Sequence, residues 1–243
     1  MSSEDWSAEV EGIRARRRLA QQHGGSDAVV AQHAQGRLVI RERIAGLLDV
    51  RSFREQGAIA GASDLAPDGS LRAFTPANYV LGTGRIDGRP CVVGGEDFTQ
   101  RGGSPSPAGL RKSVFAEDLC VRLCVPLVRL LQGAGGSVTA SDGKSPKRSG
   151  GEGTGFAPHR FASIAEAMAS VPVASAALGA VAGLPAARLV ASHFAVMARD
   201  ERDAFAQIRR VLSYLPTNVW QPAPRAACDD PRDRAEPALL DII

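Results

Sequence analysis

The sequence has few aromatic residues and little excess charge, and both shortages bear on nucleic-acid binding. Aromatic residues make up 5% of the 243 positions, and 26 acidic residues nearly balance 29 basic ones, which leaves a formal net charge of +3. A nucleic-acid surface normally combines a concentrated basic face with aromatic side chains between the charges. The sequence contains no such face, so we expect no nucleic-acid partner, although its mildly basic balance would suit a small anionic ligand.

Residues of the kinds that bind metals or form disulfides are also few. The four cysteines include no C-x-x-C pair, and no cysteine or histidine spacing matches a zinc site. Cys120 and Cys124 lie one helical turn apart in an apolar stretch, where small buried thiols are the simplest interpretation. We expect no metal, no disulfide framework and a reducing compartment.

Long apolar runs are missing too. None reaches the ~18 residues of a membrane-spanning helix, and the acidic, polar start "MSSEDWSAEVEG" has no apolar signal region. Hydrophobic residues still make up 44% of the chain, which is enough for a sizeable core. We expect a cytoplasmic protein with no membrane partner.

The order of apolar runs, glycines and helical patterns predicts an α/β protein in three parts. Residues 1–50 are predicted to be a helical segment, and residues 199–243 a helix followed by a proline-rich tail. Residues 51–198 contain a β-hairpin with the turn Asp87-Gly88 and then two strand–glycine-turn–helix units. The first unit has its glycines in "QGAGGSV", and the second has Gly179 and Gly183. Loops at strand ends carry the active sites of such folds.

The glycines of "QGAGGSV" fit none of the common nucleotide or hydrolase motifs. A phosphate loop ends in G-K-[ST], as Gly143-Lys144-Ser145 does, but the earlier glycine it requires would fall at Val138. The stretch "GTGRIDG" lies inside the hairpin and opens no helix, so it is no dinucleotide fingerprint. No G-x-S-x-G elbow accompanies the four histidines, and we interpret His193 as a core histidine.

Glycine turns without catalytic side chains suit one chemistry in particular. When an acyl-CoA thioester becomes an enolate, negative charge develops on its carbonyl oxygen, and backbone N–H groups in glycine turns can approach that oxygen closely. Loss of one such donor typically costs roughly 10²–10³ in rate. The second substrate can supply the base, so the protein need not provide one.

Five stretches of the sequence carry a family resemblance: "GRLVIRERIAGLLD", "FTPANYVLGTGRIDGRPCVVGGEDFTQRGGS", "GAGGSV", "VPVASAALGAVAGLPAARLVASHFAVM" and "FAQIRRVLSYLPTNVW". With them, nearly the whole chain from Trp6 to the tail resembles the N-terminal half of the carboxyltransferase (beta) subunits of biotin-dependent acyl-CoA carboxylases. The resemblance implies a crotonase-like α/β fold of repeated β-β-α units, with residues 51–198 as its acyl-CoA-binding core. It also implies transfer of CO2 from carboxybiotin to the α-carbon of a short-chain acyl-CoA.

Candidate site residues and partners follow from the same resemblance. Gly135 and Gly136 match the family's oxyanion turn on the CoA side. The substrate-binding walls are assigned to Arg101, Gly102, Gly103, Ser104, Gly179 and Gly183. Arg101 either meets a CoA phosphate or is solvated in its loop. No cofactor is expected to bind directly, because carboxybiotin is supplied by the carrier domain of a biotin carboxylase/biotin carrier (alpha) subunit. Full-length beta subunits and a homo-oligomer are further expected partners.

The chain departs from the family in two places. The resemblance leads us to expect a C-terminal domain that holds biotin, which these 243 residues do not include, and a block of core structure after Met197, which is missing. Two functions therefore stay open: a carboxyltransferase subunit that supplies the acyl-CoA half-site, and a catalytically inactive truncated paralogue or interaction module.

A stand-alone hydratase or isomerase of the crotonase type is a third option. It would need an acidic residue near Gly135. The nearest upstream candidates are Glu117 and Asp118, and we expect both on a solvated helix face.

Overall fold

The computed structural model describes residues 6–135, 160–218, 220–225, 227, 229–231 and 233–241. Its helices are α1 (Ser7–Gln21), α2 (Ser26–Ala34), α3 (Ile40–Leu47), α4 (Pro107–Leu123), α5 (Arg160–Ser170), α6 (Leu184–Val190) and α7 (Glu201–Ser213). Its strands are β1 (Arg54–Gln56), β2 (Gly61–Leu65), β3 (Leu71–Pro76), β4 (Tyr79–Ile86), β5 (Arg89–Glu96), β6 (Leu127–Gly133), β7 (Val173–Val181) and β8 (Phe194–Val196). None of the described helices is long and apolar enough to cross a bilayer.

Six of the strands form one mixed sheet in the order β1-β4-β5-β6-β7-β8, and β2 and β3 form a separate hairpin. The first three strands of the sheet are antiparallel. The predicted β4–β5 hairpin is confirmed, with Asp87 and Gly88 both at positive φ in its turn. The Asp49 carboxylate accepts hydrogen bonds from both turn N–H groups at 2.9 and 2.8 Å, which fixes the hairpin against the end of α3.

The other half of the sheet is parallel. Strands β5, β6, β7 and β8 run in the same direction. Because a helix carries the chain back between successive parallel strands, their carboxyl ends meet at one edge of the sheet. This is the alternation of strands and helices that the sequence predicts for residues 110–197, although β7 extends to Val181, beyond the expected end at Ala177, and β8 is limited to Phe194–Val196.

Helices cover both faces of the sheet. On one face, α3 and α7 contribute buried side chains that include Ile44, Leu47, Phe205 and Ile208. On the other face, α4 and α5 bury Ala116, Cys120 and Ala167 against the strands. The core therefore draws on helices from all three predicted parts of the chain, while the division at residues 50 and 198 itself stays a prediction.

Helix α7 is tied into the fold by a buried ion pair. The Arg43 guanidinium is 1% exposed and lies 2.7 Å from the Glu201 carboxylate. It also donates to the Leu178 carbonyl oxygen at 2.9 Å. These contacts join α3, β7 and the first residue of α7, so the segment after Met197 packs on the core immediately.

Four elements lie outside the sequence prediction: α2 and strands β1, β2 and β3. The three strands are short, and their residues are mostly exposed or half-buried. A short strand without a buried face shows no alternation of apolar and polar residues, which is the pattern that predicts strands. Contacts with neighbouring strands stabilise these elements instead.

A buried ionic network corrects the expected position of Glu117. This residue is 1% exposed and faces the sheet. Its Oε1 atom lies 2.8 Å from Arg188 Nε and 3.1 Å from Arg129 Nη2, and its Oε2 atom accepts a hydrogen bond from Ser163. Asp118 is exposed, as expected. The prediction failed for Glu117 because its ionic partners are distant in sequence.

We predict that Glu117→Ala lowers the free energy of unfolding by about 3–5 kcal/mol. The substitution leaves two buried guanidinium groups without their shared counter-ion, which is the costly way to break a buried ion pair. Urea denaturation followed by circular dichroism measures the effect. The matched control is Asp118→Ala, which should change stability by no more than about 0.5 kcal/mol because this neighbour is exposed. Equal effects of the two substitutions would contradict the role of the network.

Candidate functional site

Three glycine-bearing turns meet at the carboxyl edge of the parallel strands. They are the loop Arg101–Ser104 after β5, the turn Gly133–Gly135 after β6 and the turn Ala182–Gly183 after β7. The Ala134 N–H donates to the Gly102 carbonyl oxygen at 2.9 Å, and the Ala182 N–H donates to the Gly133 carbonyl oxygen at 2.9 Å. Main-chain hydrogen bonds thus hold the three turns together as one surface.

Gly135 lies against the turn that follows β7. It is buried, with φ at +82°, and a Cβ atom at this position would lie 3.3 Å from the Ala182 carbonyl oxygen. No described residue accepts a hydrogen bond from the amide N–H of Gly135 or of Gly183. Gly136, the second residue assigned to the oxyanion turn, lies outside the described residues.

The loop Arg101–Ser104 approaches β6 through glycines in left-handed conformations. Gly102 and Gly103 have φ values of +61° and +70°. A Cβ atom on Gly103 would lie 2.5 Å from the Gln132 carbonyl oxygen, so only glycine fits without a shift of the backbone. Arg101 is exposed at the outer side of the loop, and Ser104 is buried.

Two buried polar side chains anchor this loop. The Asn78 amide donates to the Ser104 carbonyl oxygen at 2.5 Å, and its Oδ1 atom accepts from the Ser106 hydroxyl at 2.8 Å. Asp97 accepts hydrogen bonds from His23 at 2.9 Å and from the Thr99 hydroxyl at 2.5 Å. Burial alone would raise the pKa of Asp97, but the hydrogen bonds and charge of His23 hold it below its ordinary value. The loop is therefore positioned before any ligand arrives.

Gly179 has a different role from the predicted one. It lies inside β7 and not in a turn. A Cβ atom there would lie 2.8 Å from the Gln132 side chain, whose Oε1 atom accepts a hydrogen bond from Gln32 at 2.7 Å. The absence of a side chain makes room for this buried amide pair, which connects helix α2 to β6, the strand before the turn Gly133–Gly135. Gly183, in contrast, does lie in a turn, directly before α6.

One buried carboxyl group near the turns, that of Glu96, is not predicted from the sequence. Glu96 ends β5, is 4% exposed and lies 3.4 Å from the Gln132 amide nitrogen through Oε2. Burial raises the pKa of Glu96 to about 7, although the charges of Arg188 and Arg129 oppose that rise. Its only sequence signal was an acidic residue at the end of an apolar strand.

None of the three histidines that the structure describes offers a catalytic base at this edge, and His159 lies outside the described residues. His193 was expected in the core but is exposed, because it precedes the short edge strand β8; its Nδ1 atom accepts the Val173 N–H at 3.1 Å. His23 pairs with Asp97, and His33 pairs with Glu42 at 2.8 Å. Among the described residues, no group of three or more His, Cys, Asp or Glu side chains could hold a metal ion.

The geometry is suited to holding an oxygen atom that gains negative charge. The N–H groups of Gly135 and Gly183, which have no acceptor among the described residues, belong to turns that main-chain hydrogen bonds already fix, so little reorganisation would accompany binding. Glycine at these positions permits the close approach that a larger residue would block.

Comparison with known proteins shows which proteins this chain resembles. A family model described as the carboxyl transferase domain matches residues 31–197. The mitochondrial propionyl-CoA carboxylase beta chain of Homo sapiens is 26% identical over 279 aligned residues, which cover 96% of this chain and 50% of that protein. The acetyl-/propionyl-coenzyme A carboxylase beta5 subunit of Mycobacterium tuberculosis is 27% identical, with 89% of this chain and 46% of that protein covered. The chain thus spans about half the length of the curated relatives it matches.

Solved structures confirm the crotonase-like α/β fold expected from the sequence. Transcarboxylase 12S, determined with methylmalonyl-coenzyme A and methylmalonic acid bound, superimposes with a TM-score of 0.67 at 20% identity over 99% of this chain and 53% of that chain. A single-chain long-chain acyl-CoA carboxylase superimposes with a TM-score of 0.63 at 22% identity, covering 85% of this chain and 25% of that chain.

We predict that Gly103→Ala destabilises the protein more than Gly36→Ala does. Both glycines have φ at +70°, but a Cβ atom on Gly36 meets no atom within 4 Å. Left-handed strain of roughly 1–2 kcal/mol is common to both, and the overlap at Gly103 adds about 1–3 kcal/mol. Urea denaturation of both variants measures the difference. Equal losses would show that the loop does not press against β6.

We predict that Glu96→Gln removes a pH dependence of stability. Because the folded chain binds this proton more tightly than the unfolded chain, the free energy of unfolding should fall by about 3 kcal/mol as pH rises from the ordinary pKa of 4.5 to about 7. The variant should match the wild type at pH 4 and exceed its stability at pH 8. Denaturation at both pH values tests this, with exposed Glu9→Gln as the control. If the free energies of unfolding of variant and wild type differ by the same amount at pH 4 and at pH 8, the assignment is refuted.

Proposed function

The chain belongs to the carboxyl transferase domain family of biotin-dependent acyl-CoA carboxylases, and from this we propose that it supplies the acyl-CoA half of a carboxyltransferase site. The observation that carries the proposal is the convergence of three glycine turns around the open N–H groups of Gly135 and Gly183. The carbonyl oxygen of an acyl-CoA thioester would accept hydrogen bonds there, with Gly136 following Gly135 in the same turn.

The proposed reaction proceeds through an enolate. The second substrate supplies the base: the biotin nitrogen that has released CO2 takes the proton from the α-carbon of the acyl group, and the electron pair of that C–H bond moves onto the thioester oxygen. The α-carbon then forms a carbon–carbon bond with CO2, which leaves a new carboxylate and restores the carbonyl. The chain's contribution is to stabilise the oxygen's negative charge through backbone N–H groups, an effect worth roughly 10²–10³ in rate per donor.

The buried charges of the ionic network next to β6 and α6 favour an enolate as well. Two buried guanidinium groups, Arg129 and Arg188, share the single Glu117 carboxylate. Arg188 Nη2 is buried and has no hydrogen-bond partner among the described residues. Since the raised pKa of Glu96 keeps part of that carboxyl neutral at pH 7, the buried charge is positive on balance. Positive charge behind the turns would attract an enolate oxygen.

The same network weighs against a stand-alone hydratase. Glu117 is held by two arginines and by the Ser163 hydroxyl, so its lone pairs are already engaged. Asp118 is exposed on the outer side of α4, away from the sheet. Neither carboxylate is placed to exchange a proton with a ligand at Gly135.

The walls of the pocket are part of the proposal. Gly102, Gly103 and Ser104 would line one side of the thioester, and Gly183 the other, while Gly179 acts indirectly by admitting the Gln132 side chain. Arg101, which is exposed beside the loop, would meet a phosphate of CoA.

The other half of the reaction requires a partner. We propose that CO2 comes from carboxybiotin on the carrier domain of an alpha subunit, facing a biotin-binding half supplied by full-length beta subunits in an oligomer. Transcarboxylase 12S is described as a hexamer, which supports assembly as the setting for this fold. Holding two reactants in the right geometry is worth about 7–11 kcal/mol, so the half-site alone should not catalyse carboxylation.

We predict that the isolated chain binds propionyl-CoA or acetyl-CoA and that Gly135→Ala binds about 3- to 10-fold more weakly. The added methyl group presses on Ala182 and displaces an N–H donor whose hydrogen bond is worth about 0.5–1.5 kcal/mol. Isothermal titration calorimetry measures both affinities. Gly88→Ala is the control, since Gly88 has a similar φ of +79° in the distant hairpin turn and open space around it. No heat with either ester, or equal affinity in Gly135→Ala, would overturn the half-site.

A further inference from the structure

A second cavity lies outside the glycine turns, between the loop that follows β1 and helix α4. Its volume is about 300 Å³, and its walls include Gln56, Gly57, Leu81, Ala108, Lys112 and Phe115. Leu81 belongs to β4, which β5 separates from β6, so the cavity is distinct from the surface around Gly135. Its size is at the lower end of the range for small-molecule pockets.

Lys112 is the notable side chain in this cavity. It is 8% exposed and has no hydrogen bond or ion pair with any described residue. Its stem packs over Gly57, where a Cβ atom would lie 3.6 Å from Lys112 Cε. Most of the side chain is thus withdrawn from water, while its ammonium group is not among the fully buried atoms that lack a partner and reaches the open space of the cavity. A largely buried cation without a counter-ion is costly and rare in proteins.

The carboxylate whose charge acts on Lys112 does not neutralise it. Glu55 is engaged by Arg41, whose two terminal nitrogens lie 2.6 and 2.9 Å from its oxygens. Arg41 itself repels the lysine, and Arg111 also lines the cavity. Burial lowers the pKa of Lys112 to about 8, a fall that the Glu55 charge opposes and the Arg41 charge deepens. The cavity therefore carries more positive than negative charge.

The choice of lysine is unusual for this sequence. Of the 29 basic residues, 26 are arginine and only Lys112, Lys144 and Lys147 are lysine. Lys112 is the one lysine within the part of the chain that the structure describes. Elsewhere in that part, the fully buried cations are arginines with carboxylate partners, as at Arg43 and Arg129.

We propose that this cavity is a binding site for a small organic carboxylate, with the Lys112 ammonium as its counter-ion and the apolar walls around its alkyl chain. A carboxylate supplies the missing negative charge, and a short alkyl chain fits between Ala60, Leu81, Ala108 and Phe115. A phosphate ion fits less well, because its several oxygens would face apolar walls with few donors. The proposal goes beyond the acyl-CoA half-site and does not depend on it.

Amine labelling of the wild-type chain tests the proposal directly. Acetylation by acetic anhydride, mapped by peptide mass spectrometry, reports the reactivity of Lys112 separately from Lys144 and Lys147. Butyrate should slow acetylation of Lys112 in a saturable way, because a paired ammonium loses its proton less readily. Inorganic phosphate at equal ionic strength should protect much less, and so should butyryl-CoA, which has no free carboxylate. No protection by butyrate, or equal protection by phosphate, would overturn the proposal.

Binding to variants gives a second, independent measurement. Saturation-transfer NMR should detect butyrate on the wild type and on Lys112→Arg, and lose the signal with Lys112→Met. Arg72→Met is the matched control, since it removes one exposed positive charge from β3 and should bind as the wild type does. Binding should also weaken as pH rises through about 8, when the ammonium of the free protein loses its proton. Undiminished binding by folded Lys112→Met would refute the assignment, while propionyl-CoA titration of the same variant reports the half-site separately.

Discussion

The geometry of the candidate site depends on one buried carboxylate, Glu117. It joins α4, β6 and α6 through Arg129 and Arg188. Strand β6 ends in Gly133 and α6 begins directly after Gly183, so the network fixes the elements that flank both turns. A buried ion pair contributes little net stability compared with apolar packing of the same volume. Its effect here is on geometry: strand and helix must keep their spacing for both guanidinium groups to reach the same carboxylate.

Local patterns made much of the fold predictable. The β4–β5 hairpin followed from Asp87-Gly88 between apolar runs, and α7 followed from its amphipathic sequence. Interactions between distant residues were not predictable in this way. Glycine usually marks a turn, so the sequence predicts one at Gly179, whereas this residue lies inside β7 and leaves space for Gln132. Glu117 and Glu96 were misplaced or missed because their environments are set by residues on other strands and helices.

In the candidate site, too, some residues were predictable from the sequence and others were not. The turn residues around Gly135, Gly102 and Gly183 were identified through family resemblance, and the structure brings these three turns together at one edge. The supporting residues Asn78, Asp97 and Gln32 had no signal in a single sequence, because a buried polar residue is recognisable only through its partners. The aligned length of 279 residues with the human relative exceeds the 243 residues of this chain, so that relative contains residues without a counterpart here. The family match ends at Met197, the residue after which the resemblance indicates a missing block of core structure.

The different chemistry of arginine and lysine explains how this fold places its buried cations. An arginine keeps its charge under almost all conditions, so a buried arginine needs polar partners. Arg43 has a carboxylate and one carbonyl group, and Arg129 has a carboxylate and two carbonyl groups. These buried arginine ion pairs can therefore hold the sheet and its turns in place at all pH values at which the protein is folded. A lysine can release its proton when no anion is near and regain it when one arrives. A buried cation that must stand without a partner part of the time is therefore better made from lysine, and Lys112 occupies the one described cavity position where that condition holds.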